Sequence, residues 1–124
     1  MNKIANQRVF DEALKHIREQ GKPSFVIHED RCLYKSPEGL GCAFAPCIKT
    51  YLPEMENSYA SDLLECYPDN IHEWAQDCNR ALADHIQRAH DEAARSMKTN
   101  SRSFMDIFES NMQEVRKIHA GQLI

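Results

Sequence analysis

A long periodic stripe of apolar side chains near the middle of the chain is the feature that most limits its possible folds. The stripe consists of Ile71, Trp74, Ala75, Cys78, Leu82, Ile86, Ala89, Ala93 and Met97. Its three- and four-residue steps are those of a helix that buries one face. We therefore predict one continuous helix of about seven turns that forms the spine of the fold, with Trp74 and Ile86 pointing inward. Asn70 followed by Glu73 is a capping-box pattern that would open this helix.

Shorter apolar patterns predict three further helices. The first ends at Gly21, the second covers residues 58–67, and the last is capped by Ser103 and followed by Leu123, which packs back on it. The predicted buried faces are Ile4, Val9, Phe10, Ala13, Leu14 and Ile17 in the first helix, and Phe104, Ile107, Phe108, Met112, Val115 and Ile118 in the last.

The residues between the first two helices favour β structure. Residues 24–28 are rich in strand formers. The turn sequence Ser-Pro-Glu-Gly at 36–39 predicts a hairpin over residues 32–45. Alternatively, residues 40–48 begin a helical turn, because their glycine and alanine residues are weak strand formers. The predicted fold class is α+β: about four helices with a small antiparallel hairpin or sheet between the first and second helix.

Size and composition restrict the class of protein. A chain of 124 residues falls in the range of one domain, so we assign residues 1–124 to a single domain. Apolar residues make up 42% and charged residues 27%, a balance typical of a globular fold. The apolar runs are too short to span a membrane. The first residues lack an apolar signal core, and the five cysteines are unevenly spaced, which indicates reduced thiols in the cytoplasm.

A stretch without basic residues separates Lys49 from Arg80. It contains seven acids: Glu54, Glu56, Asp62, Glu65, Asp69, Glu73 and Asp77. The last four step by four residues and could align on one helical face, although Pro68 interrupts that helix. Such a patch attracts a basic partner and repels nucleic acid. The predicted binding residues are Glu65, Asp69, Glu73 and Asp77, with Tyr34 and Lys35 of the turn. The alternative is charge that only keeps the surface solvated.

A loose basic series occupies the second half of the chain. It consists of Arg80, Arg88, Arg95, Lys98 and Arg102. Acids are interleaved with these residues and the net charge is −4, so binding to nucleic acid is disfavoured.

Histidine and cysteine side chains offer two further alternatives. The set that could bind zinc is His28, Cys32, Cys42 and Cys47. It lacks a C-x-x-C pair, which structural zinc sites usually contain. His90 with Asp91 could activate Cys42 as a nucleophile. His85 and His90 lie about 140° apart on one helix, so they do not easily chelate one ion. We favour buried, structural, metal-free thiols and expect no cofactor.

Two of these segments resemble a group of known proteins. They are Cys-Leu-Tyr-Lys-Ser-Pro-Glu-Gly-Leu-Gly-Cys-Ala at 32–43 and Ile-Gln-Arg-Ala-His-Asp at 86–91. Both are similar to segments of short uncharacterised proteins of tailed bacteriophages and prophages, which carry a C-x-Y-R-x-x-x-G-x-x-C-A turn and a later L-Q-x-x-H-D helix. Lys35 stands for the usual arginine and Ile86 for leucine. The resemblance implies a phage origin and the cytoplasm of an infected host cell, and it names no activity.

We therefore expect a small phage accessory protein that binds a basic surface of a host or phage protein, for example to inhibit a host defence system. The acidic segment and the turn would form the contact. No strong catalytic motif stands out, which favours binding over catalysis. The alternatives are a metal-binding protein or thiol enzyme built on the cysteines and histidines, and a nucleic-acid-binding regulator.

Overall fold

The computed structural model of the protein describes residues 2–26, 29, 31–97 and 102–124. Within these residues the chain forms five α-helices and one two-stranded antiparallel sheet. The helices are α1 (Lys3–Gln20), α2 (Ala60–Cys66), α3 (Glu73–Gln76), α4 (Arg80–Ser96) and α5 (Phe104–Ile118), and the strands are β1 (Phe25–Val26) and β2 (Arg31–Cys32). The sheet lies between α1 and α2 along the chain, so the predicted α+β class is confirmed.

Helix α1 has clear signals at both ends. The side chain of Asn2 accepts a hydrogen bond from the N–H of Ala5 (3.0 Å), and Gly21 ends the helix with a φ of 74°. The predicted buried face is confirmed apart from Ile4, whose side chain is 75% exposed. Ile4 lies roughly opposite the centre of the buried face, because five residues rather than four separate it from Val9.

The predicted continuous helix over residues 71–97 is wrong at one place, because the chain leaves the helix between α3 and α4. Asn79 caps α4 by accepting a hydrogen bond from the N–H of Leu82 (3.0 Å). Its own N–H donates to the side chain of Asn6 (2.8 Å). The guanidinium of Arg80 donates to two carbonyls at the break, at 2.9 and 3.0 Å. These partners replace the hydrogen bonds that an unbroken helix would make.

The start of this segment also differs from the prediction. The capping box of Asn70 does not form, because the Asn70 amide donates to the carbonyl of Thr50 (3.1 Å) and α3 begins two residues later than expected. Trp74, expected to point inward, is half-buried at the edge of the core. Ile71 is fully buried and forms an isolated antiparallel bridge with Ile48.

The predicted hairpin over residues 32–45 is wrong, although its turn forms. The N–H of Gly39 donates to the carbonyl of Ser36 (2.9 Å), with a φ of 85° at Gly39. The first arm pairs backwards along the chain, with Cys32 opposite Phe25. The second arm is irregular and leads into a 3₁₀ helix over Ala45–Cys47, which agrees with the helical alternative for residues 40–48. Residues 27 and 28 of the predicted strand lie outside the described residues.

Gly41 explains why the second arm packs closely on α1. A β-carbon at this position would approach the Ala45 side chain to 2.6 Å and the ring of His16 to 3.3 Å. In its absence, His16 and the amide of Gln20 each lie 3.0 Å from the Gly41 carbonyl. The backbone around Gly41 is thereby fixed to α1 and cannot pair as a strand.

Helix α4 lies at the centre of the core, where it packs on α5, α2 and α1. Ile86 is fully buried there, as predicted. Ser103 caps α5 by accepting from the N–H of Asp106 (3.1 Å), and Leu123 is buried, both as predicted. Ile118 is 63% exposed, so its predicted burial is wrong. Among the described helices, none combines the length and the apolarity that crossing a bilayer requires.

Candidate functional site

Two motifs that are distant in sequence meet where β2 packs against α4. Cys32 comes from β2, and Gln87, His90 and Asp91 come from α4. The thiol of Cys32, a ring nitrogen of His90 and a carboxylate oxygen of Asp91 lie within 4.8 Å of one another. The buried thiol of Cys42 lies beside the side chain of Gln87. We call these five residues the motif cluster.

His90 is fully buried, and both of its ring nitrogens have partners. Nε2 accepts a hydrogen bond from the backbone N–H of Ser24 (3.1 Å), so this nitrogen carries no proton. Nδ1 lies 2.9 Å from a carboxylate oxygen of Asp91 and therefore donates its proton to it. The ring of Phe104 packs edge-on against the imidazole, with 5.6 Å between the ring centres. The position and the tautomer of His90 are both fixed by these contacts.

Gln87 connects the motif cluster to the segment that follows the turn. Its amide N–H donates to the same Asp91 oxygen (3.0 Å), and its carbonyl accepts from the N–H of Phe44 (3.0 Å). The cluster thus attaches two segments of the chain, at Ser24 and at Phe44, to α4 through hydrogen bonds at buried or half-buried positions.

The thiol of Cys42 is poorly suited to nucleophilic chemistry. Burial raises its pKa well above the ordinary value, and the negative charge of Asp91 raises the pKa further. The nucleophile would have to be a thiolate with access to substrate. His90 cannot take the proton, because the lone pair of Nε2 is occupied by Ser24. The pairing of Cys42 with His90 that the sequence suggested therefore lacks a working base.

A metal ion fits the group Cys32, His90 and Asp91 poorly. A histidine that binds a metal through one nitrogen usually donates a proton from the other to a carbonyl or carboxylate. Nδ1 faces Asp91, so metal binding there would leave the proton on Nε2. That nitrogen faces the N–H of Ser24 at 3.1 Å, and two donors would oppose each other. The hydrogen bonds to Ser24 and Asp91 satisfy both ring nitrogens of His90 without a metal.

Of the predicted zinc ligands, the three that the structure describes, Cys32, Cys42 and Cys47, are not brought together as one group. Cys47 is buried near Cys78, where burial and the neighbouring thiol raise its pKa, and it does not belong to the motif cluster. Cys32 and Cys42 lie in the cluster, and His28 lies outside the described residues.

The four predicted acidic binding residues have different surroundings. Glu65 is exposed and forms an ion pair with Arg80 (2.7 Å). Asp69 is exposed in the short 3₁₀ helix Pro68–Asn70. Glu73 and Asp77 are exposed, and both line one groove beside Trp74. Two of the four acids thus share a surface, and a third has a counter-charge.

Among the other acids of this stretch, Glu56 has a structural position. One of its oxygens accepts from the N–H of Tyr34 (2.8 Å), and the other from the N–H of Lys35 (3.1 Å) and the hydroxyl of Tyr51 (2.7 Å). The carboxylate therefore fixes the backbone of the turn residues that the sequence singled out.

Tyr34 and Lys35 line a cavity of about 430 Å³ between α1 and the segment 39–51. Tyr34 is buried and its hydroxyl donates to the carbonyl of Ser58 (2.8 Å). The ammonium of Lys35 lies 5.5 Å from the centre of the Tyr51 ring. Leu40, Ala45, Pro46 and Ile48 add apolar surface to this cavity. We call it the turn groove.

A second groove of about 230 Å³ lies at the other end of α1. It is lined by Asn2, Ile4, Ala5, Arg8, Glu73, Trp74 and Asp77. Arg8 lies over the Trp74 ring, 4.5 Å from its centre. Exposed Ile4 and half-buried Trp74 provide its apolar surface, next to the carboxylates of Glu73 and Asp77. We call it the tryptophan groove.

Both grooves lie along one side of α1. The residues that α1 contributes are Ile4, Ala5 and Arg8 in the tryptophan groove, and Glu12, Lys15, His16 and Glu19 in the turn groove. These seven positions fall within an arc of about 120° and span about 22 Å of helix. We call this side of α1 the groove face.

Several residues of these sites were not identified from the sequence. Ser24 and Phe44 contribute backbone N–H groups to the motif cluster, and such contacts leave no trace in side-chain patterns. The sequence predicts Ile4 in the core because it is apolar and precedes the apolar stripe of α1. Its five-residue step to Val9 was the signal that could have placed it on the outer side.

No protein-family model matches this sequence, and neither curated proteins nor solved structures give a match.

Proposed function

We propose that the protein binds another protein along the groove face of α1. The observation that carries this proposal is the position of the predicted binding residues. Tyr34 and Lys35 line the turn groove, Glu73 and Asp77 line the tryptophan groove, and one side of α1 joins the two. Two shallow grooves with aromatic walls suit the side chains of a peptide segment or a protein edge.

The chemistry of the grooves suggests the kind of partner. Ile4 is exposed next to the half-buried Trp74, and both lie beside Glu73 and Asp77. A partner that presents an apolar side chain next to lysine or arginine would bury the first and pair the second. Arg8 already lies over Trp74, so the partner's charge would face the two carboxylates rather than the ring.

A binding role agrees better with the motif cluster than catalysis does. The imidazole of His90 has partners on both nitrogens, and the thiol of Cys42 is buried with a raised pKa. These features stabilise the packing of β2 and the turn on α4, which in turn supports the wall of the turn groove.

The resemblance to tailed-phage proteins supports a phage accessory protein that acts in the infected host cell. The partner is then a host or phage protein with a basic surface, and a host defence protein is one candidate. This origin is part of the proposal and rests on the two short motifs alone.

Site-specific photo-cross-linking tests the proposal directly. A photoreactive phenylalanine analogue replaces Ile4 or Lys35, one in each groove, and exposed Gln113 on α5 serves as the control position. Each variant is expressed in bacterial host cells and irradiated. We expect the same partner to be cross-linked from both groove positions and not from position 113.

The same experiment can overturn the proposal. Equal cross-linking from all three positions would mean non-specific contact. A product obtained only from position 113 would place the interface on α5. No product from either groove position, in cells where the protein co-purifies with a partner, would show that the groove face is not the contact.

A further inference from the structure

Two histidines outside the motif cluster meet at the end of α5. His85 projects from α4, and His119 follows the last residue of α5. Nδ1 of His85 lies 3.1 Å from Nε2 of His119, and the ring centres are 5.2 Å apart with an interplanar angle of 66°. His119 is buried and His85 is half-buried, so the pair lies at the edge of the core.

A third residue fixes which nitrogen of His119 carries a proton. Nδ1 of His119 lies 3.1 Å from the side-chain carbonyl oxygen of Gln122, which can only accept a hydrogen bond. Nδ1 is therefore the protonated nitrogen, and the lone pair of Nε2 points towards His85. In the metal-free pair, this lone pair accepts the proton of the His85 Nδ1.

We propose that His85 and His119 form a binding site for a borderline divalent metal ion of the Zn²⁺ type, with water completing the coordination. Two Zn–N bonds of ordinary length at a tetrahedral angle separate their nitrogens by about 3.4 Å. The pair at 3.1 Å would have to open by only a few tenths of an ångström. Imidazole ligands favour Zn²⁺, Cu²⁺ and Ni²⁺ over Mg²⁺ and Ca²⁺.

The second shell distinguishes this pair from the motif cluster. When Nε2 of His119 binds a metal, its Nδ1 proton remains bonded to the side-chain carbonyl of Gln122, in the position where metal-binding histidines usually have a carboxylate, a backbone carbonyl or water. The corresponding nitrogen of His90 faces a donor instead.

The test uses the full chain, kept reduced and freed of metal, with Zn²⁺ as the probe. Imidazole ¹⁵N resonances are followed by NMR during the titration. We expect saturation at one Zn²⁺ per chain, with shifts of Nδ1 of His85 and Nε2 of His119. Mg²⁺ at the same concentration should leave these resonances unchanged.

Variants of the outer partner separate metal binding from a structural hydrogen bond. Gln122→Ala should weaken Zn²⁺ binding on the order of 10- to 100-fold, and Gln122→Glu should strengthen it, because a carboxylate makes the ligand more basic. Gln113→Glu adds the same charge at an exposed position of α5 and should leave the affinity unchanged within about twofold.

Three results would overturn the proposal. The first is a spectrum in which the resonances of His85 and His119 do not respond to Zn²⁺. The second is a response centred on His90 that disappears in Cys32→Ser, which would assign the metal to the motif cluster. The third is an affinity that is equal in the two Gln122 variants.

Discussion

The carboxylate of Glu56 accepts three hydrogen bonds, and two of the donors are backbone N–H groups of the turn. A glutamine at this position has one accepting oxygen, so its amide nitrogen must face the N–H of Tyr34 or of Lys35. We predict that Glu56→Gln lowers the free energy of unfolding by about 1–3 kcal/mol, the cost of an unsatisfied polar group. Urea denaturation measures this loss.

The neighbouring exposed residue Glu54 provides the matched control for that substitution. Glu54→Gln removes the same charge from the same 3₁₀ helix and should change stability by less than about 0.5 kcal/mol. Equal losses in the two variants would mean that charge, rather than the three hydrogen bonds, stabilises the turn.

The hydrogen bond between Tyr51 and Glu56 should also affect how the protein titrates with pH. Burial, and then the hydrogen bond to Glu56, raises the pKa of Tyr51 to about 12. A raised pKa in the folded state means that the protonated phenol stabilises the fold below about pH 10, and that this contribution is lost as pH rises through 12.

We predict that absorbance at 295 nm shows a late tyrosine step in the native protein, which Tyr51→Phe reduces. In urea, all tyrosines should titrate near pH 10. A native titration identical to that in urea would contradict the buried contact.

At the scale of elements, α4 carries the centre of the core. Ile86 is fully buried on it, and replacing this side chain by alanine leaves a cavity in the core. We predict that Ile86→Ala lowers stability by about 2–5 kcal/mol, measured by thermal or urea unfolding. Ile118→Ala is the control, because Ile118 is 63% exposed and should contribute less than about 0.5 kcal/mol. Comparable losses would mean that α5 packs in another register.

The elements differ in how well the sequence predicts them. The apolar period of α4 and α5 identified most of their buried residues, because each helix buries one face. The break before Asn79 could not be predicted, since Cys78 keeps the apolar period while the partner of Asn79 is Asn6, far away in sequence. The turn at 36–39 follows from local chemistry. The pairing of β1 with β2 could not be predicted in this way, because it depends on the packing of β2 on α4, and no local sequence signal indicates that packing.

At the scale of the whole molecule, the candidate surfaces depend on residues that the fold brings together. The residues of the motif cluster were visible as two separate strings, yet only tertiary packing places Cys32 beside His90. The four-residue steps of the acidic stretch suggested a single acidic face, but the four side chains do not share one surface. Pro68 and the break before Asn79 turn its short helices, and Glu65 acquires Arg80 as a partner.

The proposed recognition makes an electrostatic prediction for the molecule. The double variant Glu73→Lys/Asp77→Lys should slow association with the basic partner and reduce its dependence on salt, while stability stays within about 1 kcal/mol. Association rates at two salt concentrations measure both effects. The matched control is Glu92→Lys/Glu114→Lys, which makes the same change of charge on exposed positions of α4 and α5. Equal slowing by both pairs would mean that Glu73 and Asp77 act only through the net charge of the protein.

Asn6 has a consequence for the lifetime of the folded state. Its buried side chain accepts from Asn79 and donates to the carbonyl of Gln122, across 73 and 116 residues of sequence. Because closing such long loops costs entropy, we expect these two contacts to form after the rate-limiting step of folding. We predict that Asn6→Ala accelerates unfolding by on the order of tenfold and leaves the folding rate nearly unchanged. Stopped-flow kinetics over a range of urea would show this as a shift of the unfolding limb alone. A slower folding limb would instead mean that the chain joins its distant segments before it crosses the barrier.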